Sequence, residues 1–97
     1  MTSEALLLIQ QGRDKGSSIA LGDGVTTIGR SPFSDIVVDL RGVSRQHAAI
    51  KKDRAGFWVT DLGSVNGTYV NNRKLGAGPH ALRNLDRIEV GGTEPAT

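Results

Sequence analysis

The sequence contains no cysteine, which excludes disulfide bonds and thiolate metal sites. A chain without cysteine fits a reducing compartment, where disulfides are rare. Its two histidines, His47 and His80, have neither cysteine partners nor a His-x-x-x-His spacing. The sequence therefore predicts no metal site and no cofactor.

Aromatic residues and an excess of one charge sign are also scarce. Aromatic side chains make up 4% of the chain, and 12 basic residues against 10 acidic ones leave a net charge of +2. General nucleic-acid binding needs clustered positive charge, and single-strand binding also needs aromatic stacking platforms. No nucleic-acid partner is expected, and the cluster Lys51-Lys52-Asp53-Arg54 is interpreted as a solvated hairpin turn.

No long hydrophobic run is present either. The N-terminal apolar run, residues 5–9, is far shorter than the ~20 residues that a membrane span needs. It has neither a basic leader nor a cleavage signature. The sequence therefore predicts a cytoplasmic protein without a membrane partner.

Glycine is abundant, and its spacing predicts an all-β fold. Thirteen glycines punctuate the chain, and short runs rich in Val, Ile, Leu and Thr lie between them. A chain of 97 residues suffices for one domain with a modest core, so residues 1–97 are expected to form a single domain. We predict a β-sandwich of two antiparallel sheets with about ten short strands. The candidate strands are residues 5–11, 18–21, 25–29, 36–38, 47–52, 57–61, 68–70, 73–75, 81–83 and 87–90.

The C-terminal segment departs from this strand pattern. The core of the domain is expected to span residues 5–91, followed by an irregular tail at residues 92–97, which contain Pro95 and no large apolar residue. The last strand should therefore be short or missing. The apolar first strand would then have an exposed edge, which predicts a weak dimer through that edge.

Three short motifs carry the functional signal, and each follows a strand-like run, where loops are expected. Together they supply cations, hydroxyls, a carboxamide and turn glycines, which are the groups that hold a phosphate without reacting with it. The motifs are Gly29-Arg30, Ser44-Arg45-Gln46-His47 and Ser64-Val65-Asn66-Gly67-Thr68.

In this order and at these intervals, the motifs resemble the forkhead-associated (FHA) domain, a module that binds phosphothreonine in partner proteins. Asp61-Leu62 just before the third motif and Asn71-Asn72 just after it add to the likeness, which runs from about Leu6 to about Gly91. The resemblance implies a non-catalytic phosphopeptide-binding module in Ser/Thr kinase signalling. The phosphothreonine would belong to a partner protein, such as a Ser/Thr kinase, or to a tail of the same protein.

The resemblance also implies a role for each motif residue. Arg30 is expected to be the principal phosphate contact, Ser44 to donate a hydrogen bond to the phosphate, and Asn66 to hold the peptide main chain. Val65 stands where the family commonly has threonine or another polar residue. The expected phosphopeptide-binding residues are Arg30, Ser44, Arg45, Ser64, Val65 and Asn66, and the expected scaffold residues are Gly29, His47, Gly67 and Thr68.

An enzyme and a phosphate-independent interaction domain are the alternatives to phosphopeptide binding. An enzyme would need Ser44, His47 and Asp61 to act as a catalytic triad, but the chain has no Gly-x-Ser-x-Gly nucleophile elbow. We therefore expect no catalytic activity. The alternative that stays open is an interaction domain that acts through a phosphate-independent surface or a sheet edge.

Overall fold

The computed structural model describes residues 5–8, 16 and 18–91, and every regular element among them is a β-strand. The predicted all-β fold and its number of strands are confirmed. No helix long and apolar enough to cross a membrane occurs among these residues. The strands are β1 (Ala5–Leu8), β2 (Ser18–Leu21), β3 (Gly24–Gly29), β4 (Ile36–Val37), β5 (Ala48–Asp53), β6 (Gly56–Asp61), β7 (Thr68–Val70), β8 (Arg73–Lys74), β9 (His80–Ala81) and β10 (Ile88–Val90).

The strands form a five-stranded sheet, a three-stranded sheet and a hairpin. The five-stranded sheet has the order β4-β3-β5-β6-β9, the three-stranded sheet has the order β10-β7-β8, and β1 pairs with β2. Apolar side chains of the five-stranded sheet, among them Ile28, Ile50 and Val59, form one buried cluster with Val70 of β7. Residues of β10 and β2 pack against that cluster. The two larger sheets therefore face each other across a single core as a β-sandwich.

One strand pair departs from the antiparallel arrangement. β4 runs parallel to β3, with Ile36 opposite Ile28. Residues 30–35 carry the chain back to the level of Ile28, so that β4 starts there and runs in the same direction as β3. Asp35 stabilises this return: its carboxylate accepts hydrogen bonds from the backbone N–H of Thr27 at 2.8 Å and from the Thr27 hydroxyl at 3.1 Å. The Asp35 backbone N–H donates to the same hydroxyl oxygen at 2.9 Å. Arg30 consequently begins a loop that is held at both ends.

The predicted turn is confirmed at one hairpin, and at another hairpin the turn lies at different residues from those predicted. Asn71 and Asn72 have positive φ angles of 51° and 71°, which confirms the predicted two-residue turn between β7 and β8. The basic cluster was predicted to be a turn, but Lys51 to Asp53 belong to β5, and the turn begins at Arg54. Asp53 favours this placement because its carboxylate accepts hydrogen bonds from the backbone N–H groups of Ala55 in the turn and of Gly56 at the start of β6.

Three predictions concern residues that the structure does not describe. The second half of the first candidate strand, residues 9–11, lies outside the described residues, and so does the tail at 92–97. The missing last strand therefore stays a prediction. The weak dimer through the edge of β1 depends on that strand and stays a prediction as well.

Candidate functional site

Three loops that carry the sequence motifs meet and are joined by hydrogen bonds. They are the β3–β4 loop (residues 30–35), the β4–β5 loop (residues 38–47) and the β6–β7 loop (residues 62–67). The backbone N–H of Arg30 donates to the carbonyl of Ser44 at 2.9 Å. The Ser44 hydroxyl oxygen accepts from the Val65 backbone N–H at 3.0 Å, and the Asn66 side-chain amide donates to the Gly42 carbonyl at 2.8 Å. The β4–β5 loop is thus bonded to both of the other loops.

A cleft of about 350 Å³ opens where the three loops meet. This volume lies in the range of small-molecule and side-chain binding sites. Five of its lining residues belong to the β4–β5 loop, so that loop contributes most of the lining. The lining residues are Arg30, Arg41, Gly42, Val43, Ser44, Arg45, Val65 and Asn66.

Gly29 allows the β4–β5 loop to lie directly against β3. A Cβ atom at this position would stand 2.0 Å from the carbonyl oxygen and 2.8 Å from the carbonyl carbon of Arg45. Both distances are far shorter than a van der Waals contact. The close approach lets the backbone N–H of Ser31 donate to the Arg45 carbonyl at 3.2 Å. Gly29 therefore lets the main chains at Arg30 and Arg45 lie close together, and both residues line the cleft.

His47 joins the β4–β5 loop to the β6–β7 loop through hydrogen bonds of its ring. It is fully buried, its Nδ1 accepts a hydrogen bond from the Ser44 backbone N–H at 3.0 Å, and its Nε2 lies 2.8 Å from the Gly67 carbonyl oxygen. Because Nδ1 is an acceptor, the ring proton belongs on Nε2, which donates to Gly67. Both ring nitrogens are used within the protein. The imidazole does not contact the Ser44 hydroxyl, so this histidine is not placed to act as a general base for that serine.

Asp61 organises the β6–β7 loop. One carboxylate oxygen accepts hydrogen bonds from the hydroxyls of Ser64 at 2.5 Å and Thr68 at 2.7 Å. The other oxygen accepts from the backbone N–H groups of Gly63 and Ser64, both at 3.1 Å. Partial burial raises the pKa of Asp61, but the hydrogen bonds from Ser64 and Thr68 and from the backbone outweigh it and hold the pKa below its usual value. The ionised carboxylate is therefore the form that supports the loop.

Replacing Asp61 should destabilise the domain in a pH-dependent way. We expect Asp61→Asn to lower the free energy of unfolding by about 2 kcal/mol at pH 7, because charge-assisted hydrogen bonds are lost. The folded-state pKa lies below the unfolded value, so the contribution of the ionised group is present above pH ~4 and is lost as the pH falls through the folded pKa. Urea denaturation at pH 7 and pH 3 should show the difference between wild type and variant shrinking in acid. Asp39→Asn, at an exposed position outside the network, is the control, and a pH-independent difference would contradict the assignment.

The predicted scaffold residues of the third motif are buried where the β6–β7 loop ends and β7 begins, and one predicted contact, Ser64, is hydrogen-bonded within the same loop. Gly67 is buried with a φ of 87°, and Thr68 is fully buried. The hydroxyl of Ser64 donates to Asp61 and accepts from the Gly67 backbone N–H at 2.9 Å. Its only proton is therefore already used, and Ser64 is not among the residues that line the cleft. The geometry favours a scaffold position for this serine.

The remaining predicted contacts line the cleft. The Ser44 hydroxyl accepts one hydrogen bond from Val65 and keeps its proton for a further acceptor. Asn66 uses a side-chain N–H on Gly42, and its carbonyl oxygen has no partner among the described residues. The Val65 side chain is 86% exposed. The cleft thus offers a hydroxyl donor, an amide acceptor and an apolar surface side by side.

Three arginines give the cleft its charge. Arg30, Arg41 and Arg45 are all exposed, and within the described part of the chain none of them forms a salt bridge or a side-chain hydrogen bond. No carboxylate belongs to the lining residues. Sequence reasoning missed Arg41 as a site residue, although it precedes Ser44 by only three positions in the same loop. A cleft with three unpaired guanidinium groups is suited to an anionic ligand.

The chain matches a known protein family and two curated relatives. A family model described as the FHA domain matches residues 26–91, a span that contains all three motifs. The glycogen accumulation regulator GarA of Mycobacterium tuberculosis is 40% identical over 87 residues, which cover 90% of this chain and 52% of the relative. An oxoglutarate dehydrogenase inhibitor of Corynebacterium glutamicum is also 40% identical, over 90% of this chain and 59% of the relative. The chain thus spans little more than half the length of these curated relatives.

A solved structure shows the same fold. It comes from a structural and functional study of phosphothreonine-dependent FHA domain interactions, and it superimposes with a TM-score of 0.79 at 31% sequence identity. The superposition covers 97% of this chain and 99% of the other. The likeness therefore extends over nearly the entire chain rather than over the loops alone.

Proposed function

Because the chain belongs to the FHA domain family, we propose that its three-loop cleft binds phosphothreonine in a partner protein and catalyses no reaction. The observation that carries this proposal is the set of unpaired arginines beside the free hydroxyl proton of Ser44. A phosphate brings nearly two negative charges and three strong acceptor oxygens, which these donors match. A hydrolase or transferase would need a positioned nucleophile and base, and the buried His47 is fully engaged in holding loops.

Five residues of the cleft receive a proposed role, which follows from the donor, acceptor or apolar groups that each leaves available. Arg30 offers two parallel N–H donors to the phosphate, and Arg45, which also lines the cleft, adds a second cation. Ser44 donates its hydroxyl proton to a phosphate oxygen. Asn66 holds the peptide main chain through its unpartnered carbonyl oxygen, which accepts from a peptide N–H. Val65 supplies apolar contact to the ligand.

One member of the sequence-based list, Ser64, receives a different role in this proposal. Ser64 was predicted to contact the phosphopeptide, but its bonds to Asp61 and Gly67 support a scaffold role instead. Gly29, His47, Gly67 and Thr68 keep their proposed scaffold roles: Gly29 allows a close backbone approach, His47 and Thr68 are fully buried, and Gly67 has a positive φ.

The proposed biological setting is Ser/Thr kinase signalling. The relatives named above are a regulator of glycogen accumulation and an inhibitor of oxoglutarate dehydrogenase, and both names describe regulation rather than catalysis. We infer that this domain recognises a protein after a kinase has phosphorylated a threonine in it. The ligand is either a separate partner, such as a Ser/Thr kinase, or a phosphorylated tail of the same protein that closes on the domain.

The proposal is tested by calorimetric titration with matched peptides that carry threonine or phosphothreonine. Three or four charge-assisted hydrogen bonds, offset by the entropy that the peptide loses, predict micromolar-range binding of the phosphothreonine peptide. The unmodified peptide should bind far more weakly. If both peptides bind equally, phosphate recognition is wrong, and the alternative of a phosphate-independent interaction surface takes its place.

Phosphothreonine should bind better than phosphoserine in the same titration. The γ-methyl group contributes about 0.8 kcal/mol on burial, which corresponds to about fourfold in affinity. The β-branched side chain also loses less rotamer freedom on binding, which adds to the preference. We expect a preference of about fivefold or more from both effects together. Equal affinities for the two phosphopeptides would show that the cleft does not enclose the methyl group.

A further inference from the structure

The third motif contains the only Asn-Gly pair of the sequence, Asn66-Gly67. Asparagine is a chemically labile residue, and it is most labile before glycine, because no side chain hinders attack by the following backbone nitrogen. The other asparagines precede asparagine, arginine or leucine. Asn66 is exposed and lines the cleft, so a modification of its side chain would lie within the proposed binding site.

The reaction open to this pair is deamidation, which needs only water and a base from the solvent. The Gly67 backbone nitrogen gives its proton to the base and attacks Cγ of Asn66. A new C–N bond forms, the bond to the side-chain nitrogen breaks, and that nitrogen leaves as ammonia. Water then opens the resulting succinimide at either of its carbonyl carbons and yields aspartate or isoaspartate. No oxidant or reductant takes part.

Hydrogen bonds of the folded β6–β7 loop hold this reaction back. The Gly67 N–H donates to the Ser64 hydroxyl oxygen at 2.9 Å, and the proton of that hydroxyl is donated to Asp61. Removal of the Gly67 proton would therefore set a nitrogen lone pair against an oxygen lone pair. The carboxamide of Asn66 is fixed by its bond to the Gly42 carbonyl at 2.8 Å. Because Gly67 is buried, a base reaches its nitrogen only when the loop opens.

Either product of the reaction would damage the cleft. An aspartate at position 66 has no side-chain N–H for the Gly42 carbonyl, and it adds a carboxylate to lining residues that include none. That charge opposes a phosphate ligand. Isoaspartate also routes the main chain through the side-chain carbon directly before Gly67, whose φ of 87° and bond to His47 define the turn.

We propose that Asn66 is a deamidation site, that opening of the β6–β7 loop sets the rate of the reaction, and that the reaction abolishes phosphopeptide binding. The part of this inference that concerns binding rests on the proposed function. A bound phosphopeptide keeps the loop closed and so protects the asparagine that holds it. A domain without ligand is inactivated over time, whereas an occupied domain is preserved.

The modification is measured by incubating the protein at mildly alkaline pH and mapping its peptides by mass spectrometry. Asn66 should react faster than Asn84, which is also exposed but precedes Leu85. Ser64→Ala removes the acceptor of the Gly67 proton. It should speed the reaction at Asn66 by about fivefold or more, the change in loop opening that the loss of one ordinary hydrogen bond produces.

A second rate measurement needs no variant. With phosphothreonine peptide at about ten times its Kd, the reaction at Asn66 should slow by about tenfold, because only the closed loop binds. The rate at Asn84, outside the cleft lining, should stay unchanged. The inference is wrong if Asn66 reacts no faster than Asn84, or if neither Ser64→Ala nor the peptide alters the rate at Asn66.

Binding is then compared between fresh protein and a variant that carries one reaction product. Asn66→Asp should bind the phosphothreonine peptide about tenfold or more weakly than the wild type. Asn84→Asp makes the same change outside the cleft lining and should alter affinity by less than about twofold. Equal affinities of Asn66→Asp and wild type would overturn the loss of binding on deamidation. Equal binding of phosphorylated and unphosphorylated peptides to fresh protein would instead refute the proposed function, whatever the deamidation rates are.

Discussion

Arg30→Ala should reduce phosphothreonine-peptide affinity by about 100-fold, because it removes two charge-assisted hydrogen bonds worth about 3 kcal/mol together. Arg30 begins the β3–β4 loop, its backbone is bonded to Ser44, and its side chain lines the cleft without a protein partner. The free energy of unfolding should change by less than about 0.5 kcal/mol, as for an exposed side chain without partners. Calorimetric titration and urea denaturation of the same sample measure the two effects separately.

Two further variants make the Arg30 prediction specific. Arg30→Lys keeps the positive charge but loses the planar pair of donors, so it should recover only part of the lost affinity. Arg54→Ala removes the same charge far from the cleft and should change affinity by less than about twofold, since exposed charges at a distance are screened by salt. If Arg30→Ala and Arg54→Ala weaken binding equally, the effect is one of overall charge, and Arg30 is not a direct contact.

Gly29→Ala should have the largest effect on stability among the substitutions considered. The added methyl group would stand 2.0 Å from the Arg45 carbonyl oxygen, which is main chain and cannot rotate away. Either β3 or the β4–β5 loop must move by more than 1 Å, and the loss in free energy of unfolding should be about 3 kcal/mol or more. That is a large part of the total stability of about 5–15 kcal/mol that is usual for single domains.

The same substitution should also impair binding, because Arg30 follows Gly29 directly and the displaced main chain belongs to Arg45. Phosphothreonine-peptide affinity should fall even under conditions in which the variant is fully folded. Gly22→Ala is the matched control, since a Cβ atom there meets nothing within 4 Å. It should leave both stability and affinity nearly unchanged. A Gly29→Ala protein with the melting temperature and the affinity of the wild type would contradict the close approach of the two backbones.

Local sequence patterns predicted most of the strands because turn chemistry acts over a few residues. The two asparagines at positions 71 and 72 indicated a hairpin, and their positive φ angles confirm it. The glycine-bounded runs around Ile28, Ile50 and Val59 indicated strands, and all three side chains are buried in the core. These features depend on backbone preference and on the alternation of apolar residues, which can be read along one segment.

Local patterns could not predict that β4 pairs in parallel or that the Ser64 hydroxyl is used within the loop. The parallel pairing depends on hydrogen bonds between Asp35 and Thr27, eight residues apart. The position of Ser64 depends on the hydrogen bond from its hydroxyl to the Asp61 carboxylate. A serine in a loop motif offers one proton, and only the folded loop decides whether a carboxylate or a ligand receives it. The sequence-based role of Ser64 as a phosphopeptide contact stays a prediction, and its bonds to Asp61 and Gly67 favour a scaffold role.

The all-β class, the three loop motifs and the resemblance to a phosphothreonine-binding family can be read from short segments, because turn chemistry and residue type are local properties. Which polar groups remain available to a ligand depends on the folded loops. Arg41 and Asn66 line one cleft, and both ring nitrogens of His47 bond to main-chain groups of the loops. Hydrogen bonds between residues some twenty positions apart form only after the strands have paired, so no short segment reveals them.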